Sequence, residues 1–149
     1  MIDKLNLALL AIAISFAFFL LLKSQLNNKK FVKVKIGNLT VDAEVADNFL
    51  KRSVGLSNKT HLKNNEGMLF VFKNEGIYGF WMRRMKFPID IIWISKEKKI
   101  IGCDKNLQPC VSNCKVYKPP KPILYVLEVN TGFCDKHKIR PGQRVSFDV

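Results

Sequence analysis

The chain has 149 residues, 48% of them hydrophobic, and carries 25 Lys and Arg against 12 Asp and Glu, a formal net charge of +13. That apolar content, with 11 Phe, 3 Tyr and 2 Trp to bury, excludes a wholly disordered chain. A charged fraction of 25% excludes a polytopic membrane protein.

The hydrophobicity is concentrated at the amino terminus. Residues 1–22 hold 18 apolar residues, and Asp3 cancels Lys4, so the positive excess belongs to the remainder. Leu5 to Leu22 is an 18-residue run without charge, about the minimum length for a membrane-spanning helix. A buried core helix would be amphipathic, and this run is apolar all round. A cleaved signal peptide needs small residues before the cut, and Leu21-Leu22-Lys23-Ser24-Gln25-Leu26 has no A-x-A-like pattern. The expectation is an uncleaved single-pass anchor over 1–22, a polar tether over 23–30 and a domain over 31–149.

Two rules disagree about the side of the membrane. Lys23, Lys29, Lys30, Lys33 and Lys35 follow the apolar run, which by the positive-inside rule puts the domain in the cytoplasm. Four cysteines in a small domain favour an oxidising compartment, and large domains translocate largely regardless of charge. The balance favours an extracytoplasmic domain. The short sequons Asn38-Leu39-Thr40 and Asn58-Lys59-Thr60 agree.

Phe31 to Ile36 and Leu39 to Val45 both alternate, and Gly37-Asn38 between them is a hairpin turn. Asp47 is the expected N-cap of a short helix that turns Phe49, Leu50 and Val54 inward and stops at Gly55. Residues 57–66 are a polar loop. Met68 to Phe72 and Tyr78 to Met82 have the aromatic and β-branched content of strands. Ile89 to Ile94 is apolar on both faces apart from Asp90, as a central strand would be. Lys99 to Asp104 returns from it. Lys105 to Pro122 is a long proline-rich loop. Ile123 to Val129 is a second central strand with one acid, Glu128. Thr131 to Lys138 is a short helix, Arg140-Pro141-Gly142-Gln143 a type II turn, and Val145 to Val149 a closing strand. About eight short strands and two short helices make a mainly β domain, a small barrel or sandwich, behind an N-terminal transmembrane helix.

Gly67-Met68-Leu69-Phe70-Val71-Phe72, followed by Phe80-Trp81-Met82 and Pro88-Ile89-Asp90, resembles the DUF192 family. Arg52-x-x-Gly55-Leu56, Tyr125 to Asn130 with Gly132, and Ile139-x-x-Gly142-x-x-Val145 match in the same order. The resemblance implies a compact, mainly β fold and an extracytoplasmic place. The family is one of unknown function, so no activity, ligand or catalytic residue comes with it. Arg83-Arg84-Met85 departs from the family's usual basic residue and Asn-Thr, and Ser57 stands where Met is common. Pro109-Cys110-x-x-x-Cys114-x-x-Tyr117 is similar to a cysteine pair found in some members.

Cys103, Cys110, Cys114 and Cys134 contain no C-x-x-C pair, which disfavours structural zinc. Outside the cytoplasm, a Cys110–Cys114 disulfide would staple the long loop, and Cys103 could pair with Cys134. A nucleophilic cysteine lacks a neighbouring base in the sequence. Asp90 and Glu128 each stand alone in an apolar strand, and a buried carboxyl must be paired, hydrogen-bonded or protonated. Arg52 is the expected partner, and Asn130 shares a strand face with Glu128. Met68, Met82 and Met85 with Trp81 could hold copper, but core filling explains such residues more simply. Arg83-Arg84-x-Lys86 is a basic cluster beside aromatics, for which a lipid headgroup or cell-surface polymer is the nearest anion.

The expected function is a ligand-binding or scaffolding module with a polar pocket near Arg52, Asp90, Glu128 and Asn130. The alternatives are a hydrolase or metal-dependent enzyme using Asp90 and Glu128, and a purely structural cell-envelope protein. No catalytic residue, cofactor or metal site is assigned. The expected partners are an anionic lipid surface and an unidentified ligand or protein, with nucleic acid disfavoured.

Overall fold

The computed structural model describes residues 4–27 and 30–149. Helix α1 (Lys4–Asn27) continues past the apolar run into the expected tether, and residues 28–29 lie outside the described residues. The window Asn6–Ser24 is long and apolar enough to cross a membrane, and none of it is buried.

The domain is built on a seven-stranded sheet. Its members are β1 (Phe31–Ile36), β2 (Leu39–Ala46), β3 (Glu66–Gly76), β5 (Ile89–Ile94), β6 (Ile100–Leu107), β8 (Ile123–Asn130) and β9 (Val145–Ser146). Across the sheet they run β6-β5-β8-β3-β2-β1-β9. The β2–β3 pair is parallel, with α2 (Phe49–Val54) in the crossover, and the other pairings are antiparallel. The sheet curls until its ends meet at a short seam. There Ile100 N–H donates to the Gln143 carbonyl (2.9 Å) and Val145 N–H to the Lys98 carbonyl (2.8 Å). The result is a curled half-barrel, more specific than the expected barrel or sandwich.

Both sheet faces are apolar because strand side chains alternate and each face has a cover. The inner face gathers Val34, Val41, Leu69, Ile92, Ile94 and Leu127, and α3 (Phe133–Lys136) plugs one end with Phe133 and Cys134. The outer face carries Met68, Phe70, Ile89, Ile91, Trp93 and Val126 under a second layer. That layer comprises the loop from Leu56 to Leu62 and a two-stranded sheet of β4 (Phe80–Trp81) and β7 (Val116–Tyr117).

Several local expectations hold. Gly37 takes φ 58 in the hairpin turn, and Gly142 takes φ 91 at the third position of the Pro-Gly turn. Ile89–Ile94 lies between two neighbours and is buried at every position. Others need correction. The cap of α2 is Asn48, whose side chain accepts from Lys51 N–H (2.9 Å), rather than Asp47. Phe49 points outward and is 75% exposed, because this single-turn helix lies across the crossover and buries no residue. The strand expected over Tyr78 to Met82 is two residues long and belongs to the outer layer. The last strand shrinks to Val145–Ser146.

Candidate functional site: two acids on opposite faces

Register decides what Asp90 and Glu128 can do together. In the β5–β8 ladder Asp90 faces Val129, and Ile91 faces Glu128. Directly opposed residues share a face, and successive residues alternate. Asp90 therefore projects inward with Ile92 and Ile94, and Glu128 outward with Ile91 and Met68. The sheet separates the two carboxyls, and the expected common pocket does not form.

Asp90 is fully buried and fully engaged. Its Oδ1 accepts from Asn106 N–H and its Oδ2 from Cys134 N–H, both at 2.9 Å. Cys134 lies in the first turn of α3, where backbone N–H groups have no partner inside the helix. Asp90 thus ties α3 and β6 to the central strand. No sequence pattern joined Asp90 to either donor. The available signal was Gly132 (φ 79) opening a short helix just after an apolar strand.

Glu128 is only 6% exposed, and its Oε2 has no hydrogen-bond partner. Its neighbours across the ladders are Met68 and Ile91, both apolar. Loss of solvent at this position pushes its carboxyl up to about 8, so it holds its proton at neutral pH. Asn130, on the same face, fastens the covering loop: its Nδ2 donates to the carbonyls of Leu62 (3.1 Å) and Lys63 (3.0 Å). Lys59 reinforces the loop through an ion pair with Glu44 at 3.0 Å.

Arg52 partners neither acid. Its Nη1 donates to the Val71 carbonyl (3.0 Å), and its guanidinium lies 5.2 Å over the Phe72 ring. Phe72 stacks on Tyr78, and Phe80 meets Phe70 and Trp93 edge-on. Arg52 therefore caps an aromatic column, where a planar cation on a ring face is favourable. The expected Arg52–carboxylate pair is replaced by backbone donors at Asp90 and by protonation at Glu128.

The cysteines fall into two close pairs, Cys103 with Cys134 and Cys110 with Cys114. The Cα atoms of Cys110 and Cys114 are 5.7 Å apart, inside the span that disulfides use. Cys103 and Cys134 would join β6 to α3, beside Asp90. Among the described residues no group of three or more His, Cys, Asp and Glu side chains could hold a metal ion, which argues against the metal-enzyme alternative. Met68 and Met82 are buried in the outer-face core with Met85 packed against it, as core filling requires, while Trp81 points to solvent. Two surface clefts are open. One of about 590 Å³ is lined by Glu97, Lys99 and Lys121, and one of about 480 Å³ by Lys33, Lys35 and Phe147. Neither is lined by Asp90, Glu128, Asn130 or Arg52.

Similarity to other proteins extends over the whole domain. A UPF0127 protein of Pyrococcus abyssi is 31% identical over 111 residues, covering 70% of this chain and 84% of that protein. A second UPF0127 protein, from Pyrococcus furiosus, is 25% identical over 115 residues, 74% of this chain and 90% of its own. A crystal structure of a protein of unknown function from Novosphingobium aromaticivorans superposes with a TM-score of 0.71 at 28% identity, covering 79% of this chain and 84% of that one. A crystal structure of a putative transcription regulator from Sinorhizobium meliloti has a TM-score of 0.72 at 24% identity, covering 80% and 93%, a likeness of fold alone. Residues 32–147 match the family DUF192, described as "Uncharacterized ACR, COG1430". The chain belongs to the DUF192 family.

Proposed function

We propose that this chain is a membrane-anchored, extracytoplasmic binding or scaffolding module that works through its surface rather than through an internal polar pocket. The observation that carries this reading is the separation of the two central acids. Asp90 has both oxygens occupied by backbone donors, and Glu128 is sealed on the other face. Acid–base catalysis by the pair would need both carboxyls at one reacting group, and the sheet lies between them. The apolar helix window Asn6–Ser24, none of it buried, supports anchoring. Two cysteine pairs close enough to bridge support an oxidising compartment. The charge of +13 lies outside the anchor and makes anionic headgroups the first partner of the domain.

The test is fractionation and sidedness. Alkaline carbonate washing should leave the full chain in the membrane pellet, and protease added to cells stripped of any outer barrier, with the cytoplasmic membrane intact, should remove the domain. Release by carbonate would refute the anchor, and protection until lysis would refute the outward orientation.

A further inference from the structure

Two stretches of the outer layer, 77–88 and 108–122, cross the outer face between the two ends of the sheet. The first leaves the β3 end and enters β5, and the second leaves the β6 end and enters β8. At one end of the sheet Gly76 pairs with Ile123, and at the other Ile89 pairs with Leu107 and Asn130. Phe31, where the chain enters the domain from the N-terminal side, lies between these ends in the row of Glu44, Met68 and Glu128.

The composition of this layer is one-sided. Arg83, Arg84, Lys86, Lys115, Lys118 and Lys121 are all exposed, and the two stretches contain no Asp or Glu. Elsewhere the surface mixes signs, with ion pairs such as Lys33–Asp42 and Lys63–Glu66. Apolar side chains stand among these cations. Trp81 is 59% exposed, and Val116, its direct partner across β4–β7, is 47% exposed. Val111, between Cys110 and Cys114, is 91% exposed. The same ladder turns Phe80 and Tyr117 inward onto the outer-face core, so Trp81 and Val116 are not needed for packing. Backbone bonds hold the layer in place: Cys110 N–H donates to the Met82 carbonyl (3.1 Å) and Arg84 N–H to the Cys110 carbonyl (3.4 Å).

We propose that this layer is a lipid-docking face, which lays the domain on an anionic bilayer with Trp81 and Val116 at the headgroup level and the six cations against lipid phosphates. The proposal rests on the anchored reading above and deepens it by naming the face and the partner. An indole is amphipathic and is favoured where apolar and wet phases meet. Each Lys or Arg near an anionic leaflet strengthens attachment about five-fold, and the two stretches supply six with no acid of their own, although Lys121 shares a cleft with Glu75 and Glu97. A short link from Asn27 to Phe31 keeps the domain close enough for the layer to reach the headgroups.

The two tryptophans make the test direct, since Trp93 is buried and Trp81 is exposed. The full chain is reconstituted in lipid nanodiscs containing brominated phosphatidylglycerol or brominated phosphatidylcholine, whose bromines quench indoles they touch. Emission should fall markedly more in the anionic discs, and Trp81→Phe should remove the difference. The triple variant R83Q/R84Q/K86Q should lower the docking equilibrium by about 100-fold, with the Trp93 emission maximum unchanged as the check on folding. High salt should release docking in the parent chain. A chain that enters the discs but is quenched equally in both lipids, or in neither, overturns the docking face and leaves the anchor standing. Failure to enter the discs overturns both. Shielding of Trp81 by soluble polyphosphate in neutral discs, without quenching by anionic lipid, would assign the face to a polymer instead and overturn the lipid proposal.

Discussion

Asp90 and Glu128 look alike in the sequence, one acid in each of two apolar strands, and they behave differently because their surroundings supply different donors. Asp90 meets two backbone N–H groups, from Asn106 and from Cys134. Removing the carboxyl leaves both N–H groups without acceptors, that of Cys134 buried and that of Asn106 partly so, and the cost of an unsatisfied buried group exceeds the net gain of an ordinary hydrogen bond. Asp90→Ala should therefore destabilise the domain by about 3 kcal/mol, measured as a lower denaturant midpoint with an unchanged slope. A loss below about 0.5 kcal/mol would mean that water takes the place of the carboxylate and that Asp90 does not organise α3. The strand assignments made both acids visible as anomalies. The sheet order, the β5–β8 register and the donors from distant segments were not legible, because each depends on residues far away in the chain. Arg52 departs from its expected carboxylate partner for the same reason: the long-range choice between a carboxylate and an aromatic face is made by the β3 segment, through Val71 and Phe72.

At the scale of elements, the legible parts are those fixed by local rules. The Gly37-Asn38 hairpin, the stop at Gly55, the Pro141-Gly142 turn and the two central strands follow from backbone preference and alternation. The outward Phe49 and the reduction of Tyr78–Met82 to a two-residue strand follow from packing between layers, which alternation cannot see. Gly67 is a case where an element's chemistry is set by its neighbour. A Cβ there would lie 2.7 Å from the Glu128 carbonyl oxygen and 3.0 Å from Val41 Cγ1. The first contact is with the backbone of the adjacent strand and cannot be relieved by a rotamer change. Gly67→Ala should force β3 and β8 apart and cost about 2 kcal/mol by overpacking, with a corresponding drop in melting temperature. Serine at this position should be at least as costly. Wild-type stability in the alanine variant would show that the β3–β8 ladder can shift without penalty.

The half-barrel as a whole must carry the burden of Glu128, and that burden depends on pH. Burial raises the Glu128 carboxyl from 4.5 to about 8 in the folded protein, while the unfolded chain leaves it near the ordinary value. Between these two values the folded state holds a proton that the unfolded state has lost. Stability therefore falls as pH rises through this window, by about 1.4 kcal/mol per unit for one proton, and levels off above the folded value. Below about 4.5 both states are protonated and the effect vanishes. Other groups titrate over the same range, so the informative quantity is the difference between the parent and Glu128→Gln, which stays neutral throughout. That difference should be smallest near pH 4.5 and grow in favour of the glutamine variant toward pH 8, reaching a few kcal/mol. Denaturant unfolding at several pH values measures it directly. A difference that is flat with pH would mean that Glu128 is ionised in the folded protein and has a partner for Oε2. The outer face would then be a polar site after all, and the surface-based reading of this domain would give way to one centred on Glu128.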